Sequence, residues 1–94
     1  MLLTAKQRQY LKGLAHPLSP VVRLGKSGLS EAVVEETRKS LLAHELIKVR
    51  IVGDDRNELA EKLAAATDSH IAGIIGKTAI LYRQREEKPK IRLP

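Results

Sequence analysis

Apolar and polar positions alternate along the chain with two periods, and the switches between them divide it into seven elements. Thr4 can cap a first helix running to about Ala15, in which Leu3, Tyr10, Leu11 and Leu14 fall on one stripe at 100° per residue while Arg8 and Lys12 fall opposite. His16-Pro17 ends it. Pro20 to Leu24 reads as a short strand closed by Gly25. From Leu29 or Ser30 a second helix runs to about Ala43, with Val33, Val34, Thr37 and Leu41 inward and Glu31, Glu35, Arg38 and Lys39 outward. Leu46 to Val52 sets Ile47, Val49 and Ile51 against Lys48 and Arg50, a strand with one buried face and one wet, basic face. Gly53-Asp54-Asp55 breaks it and can cap a third helix to about Ala66. His70–Ile75 and Thr78–Arg83 then read as two strands joined by a tight turn at Gly76-Lys77, followed by a polar, loose tail from Gln84. The order α-β-α-β-α-β-β predicts a two-layer α/β fold with a small mixed four-stranded sheet.

At 94 residues, 43% hydrophobic and 30% charged, the chain suits one soluble domain with a modest core. The formal charge of +6 is unevenly spread. Residues 1–30 carry Lys6, Arg8, Lys12, Arg23 and Lys26 and no acid; residues 31–68 hold nine acids against six bases; residues 69–94 return to six bases and two acids. If the two basic ends meet in the fold, the molecule is a dipole with one strongly basic surface, the footprint of a polyanion binder. No signal peptide or membrane span can be drawn, and a cytoplasmic location is expected.

Most catalytic chemistry is excluded. There are no cysteines, hence no thiol nucleophile and no Cys-based zinc site. Gly25-Lys26-Ser27 and Gly76-Lys77-Thr78 imitate the end of a P-loop, but the glycine required five residues earlier is Pro20 in one case and Ile71 in the other. His16, His44 and His70 have no metal-ligand spacing, and no serine sits in a Gly-x-Ser-x-Gly context. No enzyme activity, cofactor, metal or small-molecule substrate is expected.

Gly25-Lys26-Ser27-Gly28 lies between a strand and a helix. Glycines at both ends let a rod-like polyanion approach the backbone, where main-chain N–H groups, the Ser27 hydroxyl and the Lys26 ammonium would meet phosphates, as in Gly-x-x-Gly loops that clamp nucleotides. The same pattern also serves as a plain strand-to-helix turn. With no Phe, no Trp and only Tyr10 and Tyr82, an aromatic stacking platform cannot be built, so any RNA is expected to be read by backbone and shape.

Leu11-Lys12-Gly13-Leu14-Ala15-His16, Val21-Val22 leading into Gly25-Lys26-Ser27-Gly28-Leu29, His44-Glu45-Leu46-Ile47-Lys48-Val49, Ile75-Gly76-Lys77-Thr78 and Leu81-Tyr82-Arg83 occur in this order. With them the chain resembles the CRM domain (chloroplast RNA splicing and ribosome maturation), in particular its stand-alone bacterial YhbY-like form, over roughly residues 2–84. The resemblance implies a single RNA-binding domain at 1–84 with a polar basic tail at 85–94, and a sheet similar to that of the C-terminal domain of a bacterial translation initiation factor. It also implies a non-enzymatic role on ribosomal RNA in precursors of the large (50S) ribosomal subunit. The RNA-binding set expected is Gly25, Lys26, Ser27 and Gly28, with Arg8, Lys12, Arg23 and Lys77 extending the basic surface. The competing reading is a protein-interaction module that joins pre-ribosomal particles through an acidic face, for example Glu31, Glu35 and Glu36. A monomer is expected, because no apolar stripe is left once the core is assigned.

Overall fold

The structure, a computed structural model, describes residues 2–25 and 28–94. The seven elements occur in the expected order: α1 (Ala5–Ala15), β1 (Val22–Leu24), α2 (Glu31–His44), β2 (Leu46–Ile51), α3 (Arg56–Ala66), β3 (His70–Ile75) and β4 (Thr78–Tyr82). Local chemistry sets the helix starts. The Thr4 hydroxyl accepts from the Gln7 N–H at 3.0 Å while the Gln7 side chain accepts from the Thr4 N–H, a reciprocal capping box. Ser30 caps α2 by accepting from the Val33 N–H at 3.2 Å. Asp55 precedes α3, but its carboxylate makes no capping bond, contrary to the expectation for Gly53-Asp54-Asp55.

The strands form one mixed sheet in the order β1-β2-β4-β3. β1 pairs parallel with β2, and β4 is antiparallel to both β2 and β3. Alternation along the strands sorts their side chains to two faces. Val22, Leu24, Ile47, Val49, Ile51, Ala79 and Leu81 pack with Leu41 of α2 and Ala60, Leu63 and Ala64 of α3. Leu46, Ala72, Ile80 and Tyr82 pack on the other face with Leu3, Leu11 and Ala15. The two-layer expectation therefore needs an amendment: α1 lies alone on the face opposite α2 and α3.

Because one helix covers that second face, its contact stripe is narrow. Leu11 and Ala15 are fully buried, whereas Tyr10 and Leu14, expected to face inward, are 42% and 39% exposed. Leu14, Leu18, Val21 and Leu46 border an apolar groove, so apolar surface does remain once the core is assigned.

The tail is not loose. Glu45 ends α2 with φ at 63°, which turns its side chain under the tail, and its fully buried carboxylate accepts from the backbone N–H groups of Arg85 and Ile91, both at 2.8 Å, and of Lys90. Three main-chain donors around one carboxylate are a strong local anchor. They lay Ile91 and Leu93 against the α1 cluster.

Candidate nucleic-acid interface

The Gly-x-x-Gly segment leaves the C-terminal end of β1. Gly28 has φ at 69°, a conformation that favours glycine, and its N–H donates to the Gly25 carbonyl at 3.1 Å. Lys26 and Ser27 lie outside the described residues, so the loop contacts expected of them have no structural account here. Two hydrogen bonds gather neighbouring segments at this end of the sheet. The Val52 N–H donates to the Leu24 carbonyl at 3.1 Å, and the Ile51 N–H donates to the Lys77 carbonyl at 2.7 Å. The glycine turn, the end of β2 and the β3–β4 turn thus stand side by side.

On the α1 face, this end of the sheet is bare. Arg23 is the Cα partner of Arg50, Arg50 of Thr78, and Thr78 of Ile75. They form a row across all four strands that α1 does not reach; Arg23, Arg50 and Ile75 are exposed. Like charges on adjacent strands repel, and neither arginine has an acidic partner among the described residues. The ion pairs found there, Arg38–Glu35 at 2.8 Å and Lys62–Glu58 at 3.1 Å, lie on α2 and α3. Lys48, on the same face, is already engaged, its ammonium donating to the carbonyls of His16 and Leu18, both at 3.0 Å. Asp54 and Asp55, exposed just beyond β2, temper the charge at this end.

Arg8 is exposed, as the first-helix wheel suggested, whereas Lys12 is only partly so. They flank the buried stripe on the side of β3. An Arg8 Nη donates to the Leu3 carbonyl at 2.9 Å, and Lys12 is half-buried with its stem laid across Gly73. Both line a groove with Arg56 and Gly76, which connects them to the turn carrying Lys77. Of the expected residues, Arg23, Lys77 and the two glycines therefore share one end of the sheet, and Arg8 and Lys12 join it along the β3 edge. The tail bases Arg83, Arg85, Lys88, Lys90 and Arg92 leave from the opposite end, beyond Tyr82.

Arg50 and Arg56 were absent from the expected set. Arg50 had a signal, since period two placed it on the wet face of its strand; its register beside Arg23 had none. Nothing in the sequence marked Arg56. Among the described residues no group of three or more potential metal ligands is found, and no helix is long and apolar enough to cross a membrane.

The sequence model of the CRS1 / YhbY (CRM) domain matches residues 3–83. The chain belongs to the CRM family. Relatives include an RNA-binding protein of Haemophilus influenzae, 45% identical over 98% of this chain and 95% of its own length. The Probable RNA-binding protein YqeI of Bacillus subtilis is 35% identical over 99% of this chain and the whole of its own. Among solved structures, the solution structure of SAV1595 from Staphylococcus aureus, proposed to bind RNA, superposes with a TM-score of 0.86 at 40% identity, covering both chains fully. The same fold thus extends to a solved relative.

Proposed function

We propose that this CRM-family chain is a non-enzymatic RNA-binding protein that acts on ribosomal RNA in precursors of the large ribosomal subunit and aids their assembly. The observation that carries RNA binding is the row of cations beside the glycine turn that have no acidic partner among the described residues: Arg23 and Arg50 in register, with Lys77 at the neighbouring turn. Such an arrangement repels itself in the free protein and is relieved by a polyanion. The names of the relatives support the same ligand class. The ribosomal target rests on the family resemblance.

Lys26 and the loop amides would hold phosphates, Arg23, Arg50 and Lys77 would carry the strand across the bare sheet, and Arg8 and Lys12 would extend the contact. Backbone reading suits a surface whose exposed aromatic, Tyr10, lies on the flank of α1 away from Arg8 and Lys12. The acidic face is a weaker candidate for a partner protein. Glu35 is held by Arg38, whose other nitrogen donates to the Ala66 carbonyl at 3.0 Å, so part of that face works within the fold.

The test is sedimentation of a cell extract on a sucrose gradient with tagged wild type, Lys26→Glu and Arg50→Glu. Wild type is expected with particles slightly lighter than the mature large subunit and both variants at the top. Wild type at the top would overturn the ribosomal role. Co-migration of all three would point instead to a protein contact, and reversal of Glu31 and Glu36 would then abolish it.

A further inference from the structure

β3 is an edge strand, and the space along its free side is flanked from one face of the sheet by Arg8 and Lys12 of α1 and from the other by Arg56 and Asn57 of α3. Among the described residues no acidic side chain lines this groove. From this convergence we infer that the groove is a second phosphate-binding site, taking an internal or terminal phosphate of an RNA strand. The inference rests on the RNA-binding reading and adds to it a subsite with its own residues.

Three features make the groove more than a chance meeting of surface charges. The stem of Lys12 occupies the position where a Cβ on residue 73 would stand, so glycine there is what lets this lysine lie across the strand towards its free edge. The Arg8 guanidinium is held in place by the Leu3 carbonyl, which uses only part of its set of donors. Arg56 is half-buried at the first position of α3, where a cation meets the positive end of the helix dipole, and has no acidic partner among the described residues. The placement of Arg56 is unfavourable for an isolated protein, and an anion seated between the three cations would offset it while using the free donors of Arg8 and Lys12.

A peptide strand added to the edge fits less well. The register of β3 against β4 shifts between Ile71 and Gly73, and a bulge crossed by a lysine is how edges resist strand addition. A phosphate needs no register. The groove reaches Gly76, beside Lys77. A strand leaving the glycine turn would cross three strand spacings, about 14 Å, to arrive there.

The experiment uses the full chain, 15N-labelled, with Arg56→Ala and Gly73→Ala. Gly73→Ala changes no charge and meets only the flexible end of Lys12, and thermal melting confirms that both variants fold. Inorganic phosphate titrated into wild type should move the amide signals of Arg56, Gly73 and Ile74, and these shifts should be absent in both variants. Affinity for a short single-stranded RNA should fall about three- to tenfold in each, and the log–log salt slope should shrink by about 0.7 in each. Comparing 5′-phosphorylated with 5′-hydroxyl RNA separates the sources: a preference for the former assigns a terminal phosphate, equality an internal one.

Folded variants that keep wild-type RNA affinity and slope, with groove amides unmoved by phosphate, would overturn the site. So would groove shifts caused by a polyglutamate peptide but not by phosphate. If phosphate moves the groove while wild type binds no RNA, the anion site stands and the RNA reading fails.

Discussion

Arg23 and Arg50 face each other as Cα partners on β1 and β2, on the part of the sheet that α1 leaves uncovered. Replacing Arg50 with Thr should remove the repulsion and leave a residue suited to a strand, raising stability by about 0.5 kcal/mol. The same change should weaken RNA binding several-fold and reduce the salt slope by about 0.7. Denaturant midpoints and RNA titrations between 50 and about 200 mM salt would show the opposed effects. A loss of stability would mean that the pair supports the fold.

The two glycines of the turn are unequal. Among the described residues neither has atoms near the position a Cβ would take, but Gly28 has φ at 69° and Gly25 lies outside that region. Gly25→Asp should therefore fold with an unchanged melting temperature and bind RNA poorly, because a carboxylate stands where phosphate must approach. Gly28→Asp adds about 1 kcal/mol of backbone strain and should show both defects. Equal melting and unimpaired binding in Gly25→Asp would reduce the turn to a structural element.

Glu45 joins the end of α2 to the tail. Glu45→Ala leaves the N–H groups of Arg85, Lys90 and Ile91 without their acceptor and should cost about 3 kcal/mol. Glu45→Gln keeps one oxygen but turns an NH2 towards a donor, at a cost of about 2 kcal/mol. Hydrogen exchange at those three amides should accelerate in both variants. Exchange at wild-type rates would mean that the tail is held by Ile91 and Leu93 instead.

Tyr82 is fully buried, and its hydroxyl has no hydrogen-bond partner among the described residues. Burial, and after it the Glu45 carboxylate, pushes the phenol above its ordinary value of 10.0. The folded state thus holds this proton more tightly than the unfolded chain does. Its contribution to stability is complete below pH 10 and is lost as pH rises through the folded value. Tyr82→Phe removes an unsatisfied hydroxyl and should raise stability at pH 7 by about 1 kcal/mol. It should also flatten the alkaline decline, as read by melting temperatures from pH 8 to 11. A lower melting temperature for the Phe variant would mean that the hydroxyl finds a partner.

Period and punctuation in the sequence determined the elements. Thr4 with Gln7, Ser30 before Glu31, and the alternation of Ile47, Val49 and Ile51 are local signals, because caps and strand faces are set by residues a few positions apart. The two basic ends of the chain were legible too; their segments meet on the α1 face through Ile91 and Leu93, but the tail bases leave from the end of the sheet opposite Arg23 and Lys77. Long-range pairing decided the rest. Tyr10 and Leu14 look buried on a helical wheel, but the number of helices sharing a sheet face decides how wide a stripe is covered. Arg50 stands beside Arg23, and Arg56 lines one groove with Lys12, only through a strand register and an edge position that no short stretch of sequence encodes. The tail reads as loose because its anchor is backbone N–H groups on a carboxylate some forty residues away, and main-chain donors are the same in every sequence. What each residue could do was written locally, and which cations stand together was set by the order β1-β2-β4-β3.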